Sequence, residues 1–114
     1  MHELGIVFHI IKSMEAIAQE NELSEIASVT LELGEVSTVI PSYLIKCWKW
    51  AVDKSELLKG SELKIETIAA VTYCETCRNT YRTVAYGKIC PYCHSERTYL
   101  LRGNEVNIRE IEAC

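Results

Sequence analysis

Four of the six cysteines in this 114-residue chain fall into two hooks, Cys74-Glu-Thr-Cys77 and Cys90-Pro-Tyr-Cys93, with twelve residues between them. A CxxC hook brings two sulfurs to one side of a tight turn, and two hooks together offer four soft ligands to a tetrahedral ion. Four thiolates leave no open coordination position, so the pattern points to a structural rather than a catalytic centre. Zinc is the expected ion; its rival is a single iron, which would make the chain a rubredoxin-like electron carrier. The segment around the hooks has few aliphatic residues and cannot bury enough surface to fold alone, so metal binding must supply folding energy. Gly87 permits a sharp turn ahead of the second hook. His94, directly after Cys93, reads as a polar surface residue or as a substitute ligand. Cys47, beside Trp48, reads as a core or boundary residue. Cys114, the last residue, is expected to be frayed. Neither of these two has a neighbouring base to activate it. No glycine-rich phosphate loop, paired-carboxylate motif or nucleophile elbow is present, so no catalytic residue is assigned and the chain is not expected to be an enzyme.

A second group of potential ligands opens the chain: Met1-His2-Glu3. The first N–H groups of a helix have no intrahelical partner. If a helix starts here, the terminal amine, the amides of His2 and Glu3 and the His2 imidazole can surround a metal with four nitrogens. Such a set favours square-planar nickel or copper over zinc. Taken alone, a single histidine near a terminus is more often simply solvated.

The elements that must position these groups follow from hydrophobic periodicity. Residues 4–20 read as an amphipathic helix with a core stripe of Leu4, Val7, Ile11, Met14 and Ile17, stopped near Asn21. Residues 27–33 alternate, with Val29, Leu31 and Leu33 facing in and Ser28, Thr30 and Glu32 facing out, as a half-buried strand ended by Gly34. Residues 41–57 return to helical spacing, with Pro41 in the first turn and Leu44, Trp48, Ala51 and Val52 buried. Residues 62–72 alternate again. Residues 105–112 give a weaker strand whose phase slips near Glu110, as a bulge or a strand end would make it. The final strand is too short to stand alone and is expected to return beside residues 62–72, with the cysteine segment inserted between two antiparallel neighbours. The expected fold is therefore α+β: two helices packed on a three-stranded sheet, with an inserted zinc-ribbon-like domain carrying the two CxxC hooks. The domains are residues 1–70 with 104–114, and the insert 71–103.

The net charge of −4 is uneven. Residues 71–103 carry five Arg or Lys against two Glu, whereas residues 1–70 carry six Lys against eleven acids. The basic segment interleaves Tyr73, Tyr81, Tyr86, Tyr92 and Tyr99 with its cations, which supports an alternative reading as a zinc-ribbon nucleic-acid-binding module. The acidic remainder argues against it, and packing of a small zinc fold explains the tyrosines. No apolar run approaches the roughly 20 residues that span a bilayer, and the N-terminus does not read as a signal peptide. A cytoplasmic protein with reduced thiols and no membrane partner is expected.

The opening Met1-His2-Glu3, the central Leu31-Glu-Leu-Gly-Glu35, the CxxC…CPxCH pair and the closing run from Gly103 to Glu112 resemble the HypA/HybF family over essentially the whole chain. These are nickel metallochaperones for hydrogenase maturation, some of which also serve urease. The resemblance implies His2 as the key nickel ligand, assisted by the Met1 amine and the Glu3 backbone amide, with Cys74, Cys77, Cys90 and Cys93 holding a structural Zn(2+). Ni(2+) is then transported cargo. The resemblance implies the nickel GTPase HypB and the hydrogenase large subunit as partners, leaves urease accessory proteins open as further ones, and gives no nucleic-acid partner. Family members differ in additional nickel ligands, so His9 and His94 stay unassigned.

Overall fold

The computed structural model describes residues 3–114; Met1 and His2, with the expected amine and imidazole ligands, lie outside the described residues. Two compact units emerge. The first holds the described chain up to Glu32, with Val39–Glu66 and Asn107–Cys114; the second holds Leu33–Thr38 and Thr67–Val106.

The first unit contains two helices on a three-stranded sheet. Helix α1 (Glu3–Asn21) is apolar on more than one face, so two adjoining stripes satisfy the same spacing. The buried one is Val7, Ile10, Met14 and Ala18. The stripe expected through Leu4, Ile11 and Ile17 is thus rotated: Leu4 is 38% exposed and Ile11 and Ile17 are only half-buried. The helix stops where its last side chain, Asn21, donates from Nδ2 back to the Ile17 carbonyl at 2.9 Å.

Strand β1 (Ile26–Gly34) is followed by helix α2 (Pro41–Val52). Pro41 stands in its first turn, and Leu44, Trp48, Ala51 and Val52 are buried, as the spacing requires. The helix ends before the expected residue 57. Beyond it, Ser55 Oγ accepts the Leu58 N–H at 3.3 Å, a local bond that competes with helix continuation. The Trp48 indole N–H donates to the Ser61 carbonyl at 2.9 Å, which lets the largest core side chain be buried without an unpaired donor.

Strand β2 (Glu62–Ile68) and β6 (Val106–Ala113) flank β1 in the order β2-β1-β6. The final strand therefore pairs with β1 rather than with residues 62–72, a correction to the expected order. Gly34 N–H to Glu105 O and Cys114 N–H to Glu25 O mark the two ends of an antiparallel pair. The cause lies in the second unit's return path. Val36 N–H donates to Gly103 O, and a Cβ on Gly34 would fall on the Gly103 carbonyl. The returning chain is thus laid against the end of β1, where β6 begins. Cys114 is not frayed: its backbone exchanges hydrogen bonds with Ser24 and Glu25. The phase slip in β6 is internal, since the strand runs on past exposed Arg109 and Glu110 to Ala113.

Strand β1 is buried on both sides, not half-buried as expected. Ser28 and Thr30 are only 4% and 8% exposed. Long side chains from the two edge strands close over it: Lys64 of β2 pairs with Glu112 of β6 at 2.8 Å, and Glu66 pairs with Arg109. Ser28 Oγ donates to the same Glu112 carboxylate at 2.6 Å.

The second unit holds an antiparallel sheet in the order β4-β3-β5, from β3 (Val71–Cys74), β4 (Thr80–Arg82) and β5 (Thr98–Arg102), with a single-turn helix α3 (Thr83–Tyr86). The continuous strand expected over 62–72 is two strands in two sheets. At the break, Ala70 N–H turns to the Glu35 carboxylate at 3.0 Å instead of a neighbouring strand. Its carbonyl accepts from Thr83 N–H at 3.1 Å. Among the described residues no helix is long and apolar enough to cross a membrane.

Candidate metal centre

Cys74 is the last residue of β3, so its sulfur leaves the sheet where the first hook begins. The second hook lies between α3 and β5. The two turns are built alike. Arg78 N–H donates to Cys74 O at 2.9 Å and Cys74 N–H to Asn79 O at 2.9 Å. In the second hook, His94 N–H donates to Cys90 O at 2.9 Å and Cys90 N–H to Ser95 O at 3.0 Å. Arg78 and His94 both adopt φ +62°, the left-handed conformation that reverses the chain after each hook. Thr76 Oγ1 and Ser95 Oγ, 2.8 Å apart, tie one turn to the other.

This pairing brings all four sulfurs within 4.8 Å of one another. Cys74 and Cys93 are 3.6 Å apart, and Cys77 and Cys90 3.5 Å. A tetrahedron with metal–sulfur bonds of about 2.3 Å has edges of about 3.8 Å, so the four thiols fit an ion of that kind. Cys74 and Cys90 are fully buried and pack with Tyr81, while Cys77 and Cys93 are half-buried. Tyr81 is fixed in turn by its hydroxyl, which donates to the Gly87 carbonyl at 2.8 Å.

The four thiols are electrostatically unequal. The backbone N–H of Cys77, joined by that of Thr76 and the thiol of Cys93, lowers the Cys74 thiol to about 6. For Cys93, the Ser95 N–H works in the same lowering direction, but burial and the thiols of Cys74, Cys77 and Cys90 outweigh it and push Cys93 up to about 12. One thiol ionises easily and another resists, because four thiolates repel one another at this range. A divalent ion among them removes that conflict.

Other expected residues are not members of this cluster. His94 is exposed and serves the second hook through its backbone, as Arg78 serves the first. His9 is exposed on α1. Neither joins a group of three or more potential ligands among the described residues. Glu3 begins α1, and its carboxylate accepts the Ile40 N–H at 3.2 Å, just ahead of α2. That bond anchors the first turn of α1, a role its sequence position did not reveal. Cys47 is half-buried and lines a small apolar cleft with Leu4, Lys46 and Trp50.

Known proteins resemble the chain over its whole length. The family described as "Hydrogenase/urease nickel incorporation, metallochaperone, hypA" matches residues 1–113. The hydrogenase maturation factor HypA of Chlorobium limicola is 33% identical over 111 residues, covering 97% of this chain and 95% of the relative. That of Dehalococcoides mccartyi is 29% identical, covering 98% and 93%. The solution structure of the Ni metallochaperone HypA from Helicobacter pylori superposes with a TM-score of 0.74 at 25% identity, covering 99% of this chain and 97% of that one. A second solution structure of a HypA protein gives 0.78 at the same identity, covering 100% and 97%.

Proposed function

The chain belongs to the HypA family of nickel-incorporation metallochaperones, which are not enzymes, and from that premise we propose that it binds Ni(II) at its N-terminus and delivers it to NiFe hydrogenase during maturation. The observation that carries this reading is a family match that includes the opening Met1-His2-Glu3. The His2 imidazole, the Met1 amine and the Glu3 backbone amide form the nickel site. An all-nitrogen set of this kind suits nickel. Residues 1–70 and 104–114 form the nickel-binding domain, and residues 71–103 the zinc domain. Cys74, Cys77, Cys90 and Cys93 hold a structural Zn(2+), whose bonds to sulfur supply folding energy.

The partners of this function are the nickel GTPase HypB and the hydrogenase large subunit, with urease accessory proteins as further acceptors. The setting is the cytoplasm. A cargo site on a chain terminus can be stripped by an incoming ligand more easily than a closed cage, which favours release.

The test is calorimetric nickel titration of untagged protein, with metal content measured in parallel. His2→Ala is expected to weaken nickel binding by at least about 10–100-fold, since even outer partners of metal ligands carry that much. Zinc content is expected to stay at one per chain. A short N-terminal extension, which moves the amine away from His2, is expected to act in the same direction. Unchanged nickel affinity in both proteins would overturn the site; iron in place of zinc would overturn the assignment of the cysteine centre.

A further inference from the structure

The second unit also holds a cationic cleft that the metal chemistry does not use. In the register of its sheet, Val71 of β3 stands opposite Arg82 of β4 on one side and opposite Arg102 of β5 on the other. Three strands thus place two arginines at one level of the sheet, their backbones about two strand spacings or roughly 10 Å apart. Val71, Arg82 and Arg102 line a cleft of about 380 Å³ together with Tyr81, Tyr86 and Tyr92. Tyr86 packs edge-on against Tyr81 with ring centroids 6.0 Å apart, so the aromatic wall is held in place.

The charges in this cleft are incompletely used. Arg82 reaches Glu35 through a single nitrogen, at 3.2 and 3.4 Å from its two oxygens, and stays 58% exposed. Arg102 is exposed and makes no ion pair among the described residues. Arg82 and Arg102 lie on the two outer strands, with Val71 on the central strand between them. An extended chain laid across the strands sends alternate side chains toward the sheet.

We propose that this cleft is a docking site for an extended acidic peptide segment of a partner protein, with carboxylates at Arg82 and Arg102 and an apolar side chain against Val71 and the tyrosines. A carboxylate already sits on Arg82, so the chemistry of recognition is present in the structure itself. A guanidinium pairs with carboxylate through directed, charge-assisted hydrogen bonds. Nucleic acid fits less well, because a phosphate backbone calls for a longer run of cations. Here two cations straddle an apolar centre, and a further arginine of the unit, Arg97, is paired with Glu75 at 3.5 Å. The inference is independent of where nickel binds, and its test uses zinc-loaded protein without nickel.

The probe is an N-acetylated nonapeptide of sequence Glu-Ser-Leu-Ser-Glu-Ser-Leu-Ser-Glu, which puts glutamate and leucine on one face of an extended chain, titrated into full-length, isotope-labelled protein at low salt. Amide resonances of Val71, Arg82, Tyr86 and Arg102 are expected to shift, and the affinity to fall with added salt. Arg102→Gln is expected to weaken binding about tenfold, the scale of a lost charge-assisted hydrogen bond, with zinc content and thermal midpoint unchanged because Arg102 supports no ion pair. Equal binding by this variant, by a peptide with glutamine in place of glutamate, or no shifts up to millimolar peptide would each overturn the proposal. Tighter, Arg102-dependent binding of a twelve-nucleotide oligothymidylate would overturn it in favour of nucleic acid.

Discussion

The first unit buries Met14, Leu44, Trp48 and Leu58 to below 2% exposure, whereas the second gathers Cys74, Tyr81 and Cys90 at its centre. The aliphatic side chains of the first each contribute about 1.5–3 kcal/mol when fully buried. Two sulfurs and a ring cannot supply that much, so the second unit depends on what its thiols bind. Two physical strategies thus coexist in one short chain: apolar burial on one side, ligand bonds on the other. The chain carries its own reporters for telling them apart. Both tryptophans, Trp48 and Trp50, lie in the first unit, and five of the six tyrosines lie in the second.

The largest effect is expected from breaking the cysteine centre. Cys90→Ser should cost most of a metal-linked folding energy on the order of 10–16 kcal/mol. Amides of residues 71–102 are expected to lose their protection from hydrogen exchange, while tryptophan fluorescence stays native. Simultaneous loss of both signals would show that the two units fold as one and end the contrast.

The reverse perturbation is Trp48→Ala. It removes the largest buried side chain and orphans the Ser61 carbonyl, for a loss of about 3–5 kcal/mol. Chemical denaturation followed by Trp50 fluorescence measures it. Zinc stoichiometry and tyrosine circular dichroism are expected to persist at denaturant concentrations where the first unit has unfolded. Release of metal along with the first unit would mean that apolar burial also supports the hooks.

The smallest effect concerns acid. The Lys64 ammonium, then the Ser28 hydroxyl, holds the Glu112 carboxyl below its ordinary range. A carboxyl lowered in the folded state contributes stability above the ordinary carboxylate range and loses it as pH falls through the lowered value. Glu112→Gln should therefore lower the first unit's melting midpoint slightly at neutral pH, the loss being small because the pair is exposed and screened, and match the parent in acid, so that the acid side of the profile flattens. An equally steep acid limb in the variant would assign that limb to other groups.

Much of this architecture was readable in the chain. The stripe Leu44, Trp48, Ala51 and Val52 specifies its helix because 3.6-residue periodicity is a local property. The two CxxC hooks announce a tetrahedral thiol set because a tight turn brings its own ends together. What local pattern could not carry was long-range order. Residues 62–72 alternate without interruption, yet the strand breaks because Ala70 finds the distant Glu35 carboxylate. The last strand chose β1 because Gly34, with no Cβ, lets the Gly103 carbonyl lie against the end of that strand. Ser28 and Thr30 look solvent-facing by alternation and are covered only because Lys64 and Arg109 find acids across the sheet. Residue types and spacing determined which ligands exist and which faces are apolar; the tertiary structure alone decided which strands neighbour each other and which polar groups are enclosed, since those depend on contacts between residues far apart in the chain.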